Sequence, residues 1–215
     1  LFRLARLRQE RRGADPRADF RRDLETLYAR VLGLYVAIAT AGALACALLA
    51  PLGIRLLATQ DYAAASRPAL WLAFAAVAQG AYYVAALGIN LSLKNAWLGF
   101  SAGGAALVAV ATNLLLVPRL GAEGAAMATF AGYAGSVVLT YLIAQRVHPL
   151  PYRGARLAAL FGCGLALGVV AVRFAPEGAV GVAWRSAALV IYGLLAWRSD
   201  VWKDRGAIRH RPVAD

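Results

Sequence analysis

Asn113-Leu-Leu-Leu-Val-Pro118-Arg119-Leu-Gly121-Ala-Glu123-Gly124-Ala-Ala-Met-Ala-Thr129 joins two long apolar runs through a short polar tip. Pro118 has no amide hydrogen to donate and biases Val117 away from helix, so the first run is expected to end there. Gly121 and Gly124 supply the backbone freedom that a tight reversal needs. Glu123 falls in the first turn of the following helix, where the positive end of the helix dipole favours a carboxylate. Each flanking run is long enough to cross a bilayer. The stretch therefore predicts a membrane hairpin, with Pro118, Gly121 and Gly124 as its structural residues.

The rest of the chain has the same character. Apolar residues make up 61% of it and charged residues only 16%, with a mean hydropathy of +0.60. An ordinary soluble domain is far more polar. Between clusters of charge lie runs of about 18 or more apolar residues, the length that spans roughly 30 Å of hydrocarbon as helix. The expected fold class is all-α, a polytopic membrane protein of six transmembrane helices. Its spans are expected at 31–49, 69–91, 96–117, 122–144, 155–172 and 180–197, with the first stopping at Pro51. Residues 1–22 form a basic cytoplasmic segment and 23–150 a four-span unit. Residues 151–200 add a two-span pair after the Pro149 and Pro151 linker, and 201–215 form a basic tail.

Charge assigns a direction to these spans. Six crossings put both chain ends on one side, and 18 of the 23 basic residues then fall on that side. Only Arg55, Arg67, Arg119, Arg173 and Arg185 fall on the other. Lys and Arg are retained on the cytoplasmic face, so both termini are expected there. The net charge of +12 has the sign of a nucleic-acid binder, but charge flanking membrane spans needs no such partner, and none is expected. Membrane lipids are the expected surroundings.

Little here promises catalysis. His148 and His210 have no partner at metal-ligand spacing, and no nucleophile elbow or phosphate-binding glycine loop occurs. The expected reading is not an enzyme, with no cofactor and no metal. Cys46 and Cys163, without C-x-x-C spacing, read as small buried hydrophobes. The polar groups inside the spans are uncharged: Gln79, Tyr82, Tyr83, Asn90, Thr112, Asn113, Thr129 and Tyr133. Each is expected either to bond a neighbouring helix or, for Gln79, Tyr82 and Asn113, to face a polar substrate path. Arg55 and Arg119 are the basic candidates near a cavity mouth, with interfacial snorkelling as the alternative. Gly99 with Gly103, and Gly164 with Gly168, stand at the four-residue spacing that permits close helix packing.

The hairpin sequence resembles the N-x-x-L-I-P-x-x-G-x-x-G-A-A-x-A-T signature of polysaccharide-biosynthesis membrane proteins. These are the lipid-linked oligosaccharide flippases, O-antigen translocases among them, of the multidrug/oligosaccharidyl-lipid/polysaccharide exporter superfamily. Ala50-Pro-Leu-Gly-Ile-Arg-Leu-Leu-Ala and Asp61-Tyr-Ala-Ala-Ala are similar to upstream segments of that family, and Gln79-Gly-Ala-Tyr-Tyr with the Lys94-Asn95 turn also fits. The resemblance covers residues 19–146. It implies the C-terminal part of a 12–14-helix flippase in the bacterial inner membrane, moving a lipid-linked glycan outward by alternating access. A missing N-terminal lobe or polysaccharide assembly enzymes would be the protein partners. The alternative is a non-transporting membrane scaffold for those assembly enzymes.

Overall fold

The computed structural model describes residues 16–57, 66–91, 96–147, 154–174, 176 and 179–199. They form five α-helices: α1 (Pro16–Leu57), α2 (Ser66–Leu91), α3 (Ala96–Val147), α4 (Gly154–Arg173) and α5 (Ala179–Arg198). Each contains a stretch long and apolar enough to cross a bilayer. The chain is an all-α, polytopic membrane protein. Residues 1–15, Lys94, His148 and the tail 201–215 lie outside the described residues, as do the side chains of Arg55 and Asn90.

Neither internal proline ends its helix. The first span was expected to stop at Pro51, yet α1 continues to Leu57. Pro118 likewise sits inside α3. Proline removes one amide bond and crowds the preceding turn. Abandoning the helix in a medium without water would leave several more backbone groups unsatisfied, so continuing with a kink costs less.

The reversal falls at Gly121, one of the two glycines expected to make it, whose φ of 56° and ψ of −128° interrupt the helical geometry of α3. That pair matches the first central residue of a type II′ turn, a conformation populated almost only by glycine. The two limbs of α3, residues 96–120 and 122–147, lie back to back. Thr140 Oγ1 donates to Ser101 Oγ at 3.1 Å. A Cβ on Gly132 would stand 2.8 Å from Ala109 Cβ, and one on Gly104 would stand 2.8 Å from Leu139 Cδ1. Gly124 backs onto the carbonyl of Leu116. Every pair is centred between residues 120 and 122, the mark of an antiparallel pair closing on Gly121.

Helix directions agree with that reversal. Tyr35 in α1 donates to the Val77 carbonyl of α2 at 3.3 Å, while Leu44 and Leu70 meet beside Gly168, so α1 and α2 run antiparallel. In α4, Gly164 lies against Thr40 and Gly168 against Leu44, a constant offset, so α1 and α4 run parallel. With α2 opposed to α1, α4 regains the direction of α1 only if α3 goes out and returns.

The core sits where α1, α2, α4 and α5 meet. Leu44, Phe74 and Tyr192 are essentially inaccessible there, packed with Ala43, Ala47 and Ala188. Phe74 meets Phe161 edge-on at 5.6 Å, Phe161 stacks on Phe130 at 6.2 Å, and Phe130 meets Trp71 at 5.7 Å. This aromatic chain links α4, the second limb of α3 and α2. The first limb is outermost. Trp97, Phe100, Leu107, Leu114 and Leu115 are all exposed, the surface expected against hydrocarbon.

Candidate functional site

A cavity lies at the end of the bundle that carries the N-terminus of α1 and the C-terminus of α2. Its volume is about 350 Å³. Leu32 and Val36 of α1 form one wall, and Val77, Ala78, Ala81 and Ala85 of α2 form another. The second limb of α3 adds Ala134, Val137, Val138 and Tyr141, and α4 adds residues from Gly154 to Phe161. Small side chains on α2 and α4 make the space, because alanine leaves room that leucine would fill.

Its lining is apolar apart from the Tyr141 hydroxyl, which faces Gly154. Val138, Ala155 and Ala158 are exposed, so the mouth lies between α3 and α4. A sealed void of this size would cost about 8 kcal/mol at roughly 24 cal/mol per Å³. Apolar cavities also stay dry. The groove, open between α3 and α4, offers apolar contact and no polar anchor beyond Tyr141.

Cations surround this end. Arg156 follows Ala155 in sequence and is exposed, but it does not line the groove and falls on the face of α4 turned away from it. Arg146 is exposed, five positions beyond Tyr141, or about 7.5 Å along the helix axis. Arg30 lies two positions before Leu32 and is engaged by a partner. The opposite end is held differently. Glu123, just past the turn, lies 3.7 Å from Arg173 at the end of α4. The pair joins α3 to α4 at the hairpin tip, whereas the groove parts them at the other end.

The residues singled out from sequence are dispersed. Gln79 and Tyr82 share α2, both half-buried, and neither lines the groove. Tyr82 stacks edge-on with Tyr83 at 5.5 Å. Asn113 is on the first limb of α3, where its Nδ2 donates to the Ala109 carbonyl of its own helix at 3.0 Å. Thr112 and Thr129 also bond their own backbones, at 2.7 Å to Val108 and 2.9 Å to Ala125. Arg119 is exposed at the tip beside the turn. The Arg55 side chain lies outside the described residues.

Other polar groups join helices, and sequence reading did not single them out. They are Ser101 with Thr140, Tyr35 with the Val77 carbonyl, and Tyr192, which donates to the Ala37 carbonyl at 3.2 Å. Nothing in the sequence distinguishes these hydroxyls from those that fold back on their own helix. Two further expectations are corrected. Cys46 and Cys163 are exposed rather than buried, on surfaces where an apolar neighbourhood is lipid and not protein. A Cβ on Gly99 or Gly103 would meet nothing within 4 Å, so that pair closes no helix contact, whereas Gly164 and Gly168 are buried in the core. Among the described residues no group of three His, Cys, Asp or Glu gathers.

The chain matches no protein-family model, no curated protein and no solved structure.

Proposed function

We propose that this chain is part of a membrane transporter that moves a lipid-linked oligosaccharide across the bacterial inner membrane. A polytopic helical bundle is consistent with transport, and the reading of its cargo rests on one feature. The stretch 113–129 combines the flippase-like signature with a glycine reversal between two antiparallel limbs. If each limb crosses the bilayer, the bundle has six crossings and both ends share one face. The distribution of basic residues supports a cytoplasmic assignment for that face. Alternating access would use α3 and α4, which are joined by Glu123 and Arg173 at the tip and parted by the groove at the other end.

Deleting the coding segment and following the lipid-linked glycan in the cell tests this reading. Transport predicts that the glycan accumulates on the cytoplasmic leaflet, inaccessible to an impermeant lectin until the cells are opened, and that complementation restores surface exposure. Unchanged sidedness with a fall in total glycan would contradict transport and favour the scaffold for assembly enzymes.

A further inference from the structure

We propose that Arg185 of α5 forms a binding site for a phosphate-type oxyanion within the membrane, entered from the end of the bundle that carries the hairpin tip. The site lies apart from the groove and does not depend on the flippase reading.

Helix phase places the cation. Between Val180 and Arg198 the residues that are not exposed are Gly181, Arg185, Ala188, Leu189, Tyr192 and Ala196. At 3.6 residues per turn they form one stripe, and Arg185 falls inside it. Ala188 and Tyr192 of that stripe pack into the core with Leu44 and Ala171. Arg185 therefore faces the bundle and not the lipid. It stands six positions after Ala179, about 9 Å along the helix axis, in a stretch apolar enough to cross a bilayer.

The charge there has no partner in the chain. Its Nε is buried without a hydrogen bond, and no hydrogen bond or ion pair joins Arg185 to any described residue. Glu123, the described acid at this end, is engaged with Arg173. A snorkelling arginine keeps its charged head in water. Here the inner corner of the guanidinium is withdrawn while the side chain as a whole stays half-exposed. A carboxylate or a lysine could escape such a position by becoming neutral, but guanidinium stays charged. Inward-facing charges within membrane spans are paired or line a path for ions or substrate, so the missing counter-charge comes from solution or lipid. The guanidinium fork matches the oxygens of a phosphate group. Access is from the tip end, because α4 ends there at Arg173 and Gly181 backs onto the Pro176 carbonyl in the connection to α5. Arg67, Arg119 and Arg173 are exposed at the same end, a positive field that draws anions to it.

The test melts the full chain in uncharged, phospholipid-free detergent, with inorganic phosphate or with sodium chloride at the same ionic strength. Phosphate at about five times its Kd should raise the folding constant about sixfold, a rise in midpoint of about 2–4 °C. Arg185→Gln should abolish the rise, Arg185→Lys should keep part of it, and Arg119→Gln should keep all of it. Adding phosphatidylglycerol or phosphatidylcholine distinguishes the sources. A phosphate response lost only with phosphatidylglycerol assigns the site to a lipid headgroup, and one kept with both assigns it to a free ion. Access is read separately, in a background of Cys46→Ala and Cys163→Ala. Arg185→Cys should react with an impermeant anionic thiosulfonate in proteoliposomes, whereas Ala183→Cys and Ala187→Cys, which bracket it in depth on the exposed side, should stay silent. No phosphate rise in the wild type, or an equal rise in wild type and Arg185→Gln, would overturn the proposal, as would Arg185→Cys as silent as Ala187→Cys.

Discussion

Ser101 and Thr140 stand 39 positions apart in the chain yet share a 3.1 Å hydrogen bond, both with no exposed surface. Ser101 passes its own proton to the Leu98 carbonyl at 2.9 Å. The relay ties the far ends of the α3 limbs together, and a bond of this span requires that the helix has turned back on itself. A double-mutant cycle with Ser101→Ala and Thr140→Val should give a coupling of about 0.6 kcal/mol, with 1.7 as a ceiling. Unfolding equilibria in mixed micelles would supply it. A coupling of zero would mean that the limbs do not meet there.

Gly121 carries the turn, so its substitution tests the geometry rather than the packing. A Cβ there meets nothing within 4 Å, but φ is +56°. Gly121→Ala should therefore destabilise by about 1–3 kcal/mol through backbone strain alone. Asn at the same site should do no better than Ala, because its tolerance of positive φ lies in the left-handed helical region and ψ here is −128°. Thermal melting of the purified protein reads both. Equal stability of wild type, Ala and Asn would place the bend elsewhere.

The two glycine pairs should behave oppositely. Gly164→Leu drives a side chain into Thr40 and Tyr192, and Gly168→Leu into Leu70 and Leu44. Each should cost about 1–3 kcal/mol by overpacking. Gly99→Leu and Gly103→Leu enter open space and should be neutral or slightly favourable through helix propensity. Parallel melting curves for the four variants decide the matter; a large loss at Gly103 would reveal a helix contact made by a further chain.

Much of this architecture was legible because glycine, proline and charge punctuate apolar runs. Helix α4 begins one residue before the expected 155–172 and ends one after it, and α5 brackets 180–197 as closely. The reversal was read at Gly121 and Gly124 and falls at Gly121, whereas Pro118, read as the end of the first limb, sits inside it because the helix runs on to the glycine. Which face of each helix packs was not legible. In lipid both the buried and the exposed faces are apolar, so periodicity cannot separate Cys46 or Gly103 from Gly164. The groove was hidden for the same reason. It is written in alanines at 78, 81 and 85, which look the same in sequence as the alanines of the core.

Glu123 and Arg173 should contribute little to stability. Their separation is 3.7 Å, and the Arg173 side chain is 64% exposed. With Glu123 18% exposed but its partner open to solvent, a long pair of this kind contributes about 0–1 kcal/mol, so Glu123→Gln should shift the unfolding midpoint only slightly. Its effect, if the tip moves in transport, should appear in rate. A loss well above 1 kcal/mol would show that the pair is shielded and structural.

Side-specific labelling tests the central claim, the out-and-back path of α3, most directly. In a background of Cys46→Ala and Cys163→Ala, single substitutions Arg119→Cys, Lys94→Cys and Arg146→Cys are exposed to an impermeant maleimide in intact and then permeabilised cells. Arg119→Cys should react in intact cells, whereas Lys94→Cys and Arg146→Cys should react only after permeabilisation. Reaction of Arg119→Cys and Lys94→Cys from the same side would contradict the hairpin.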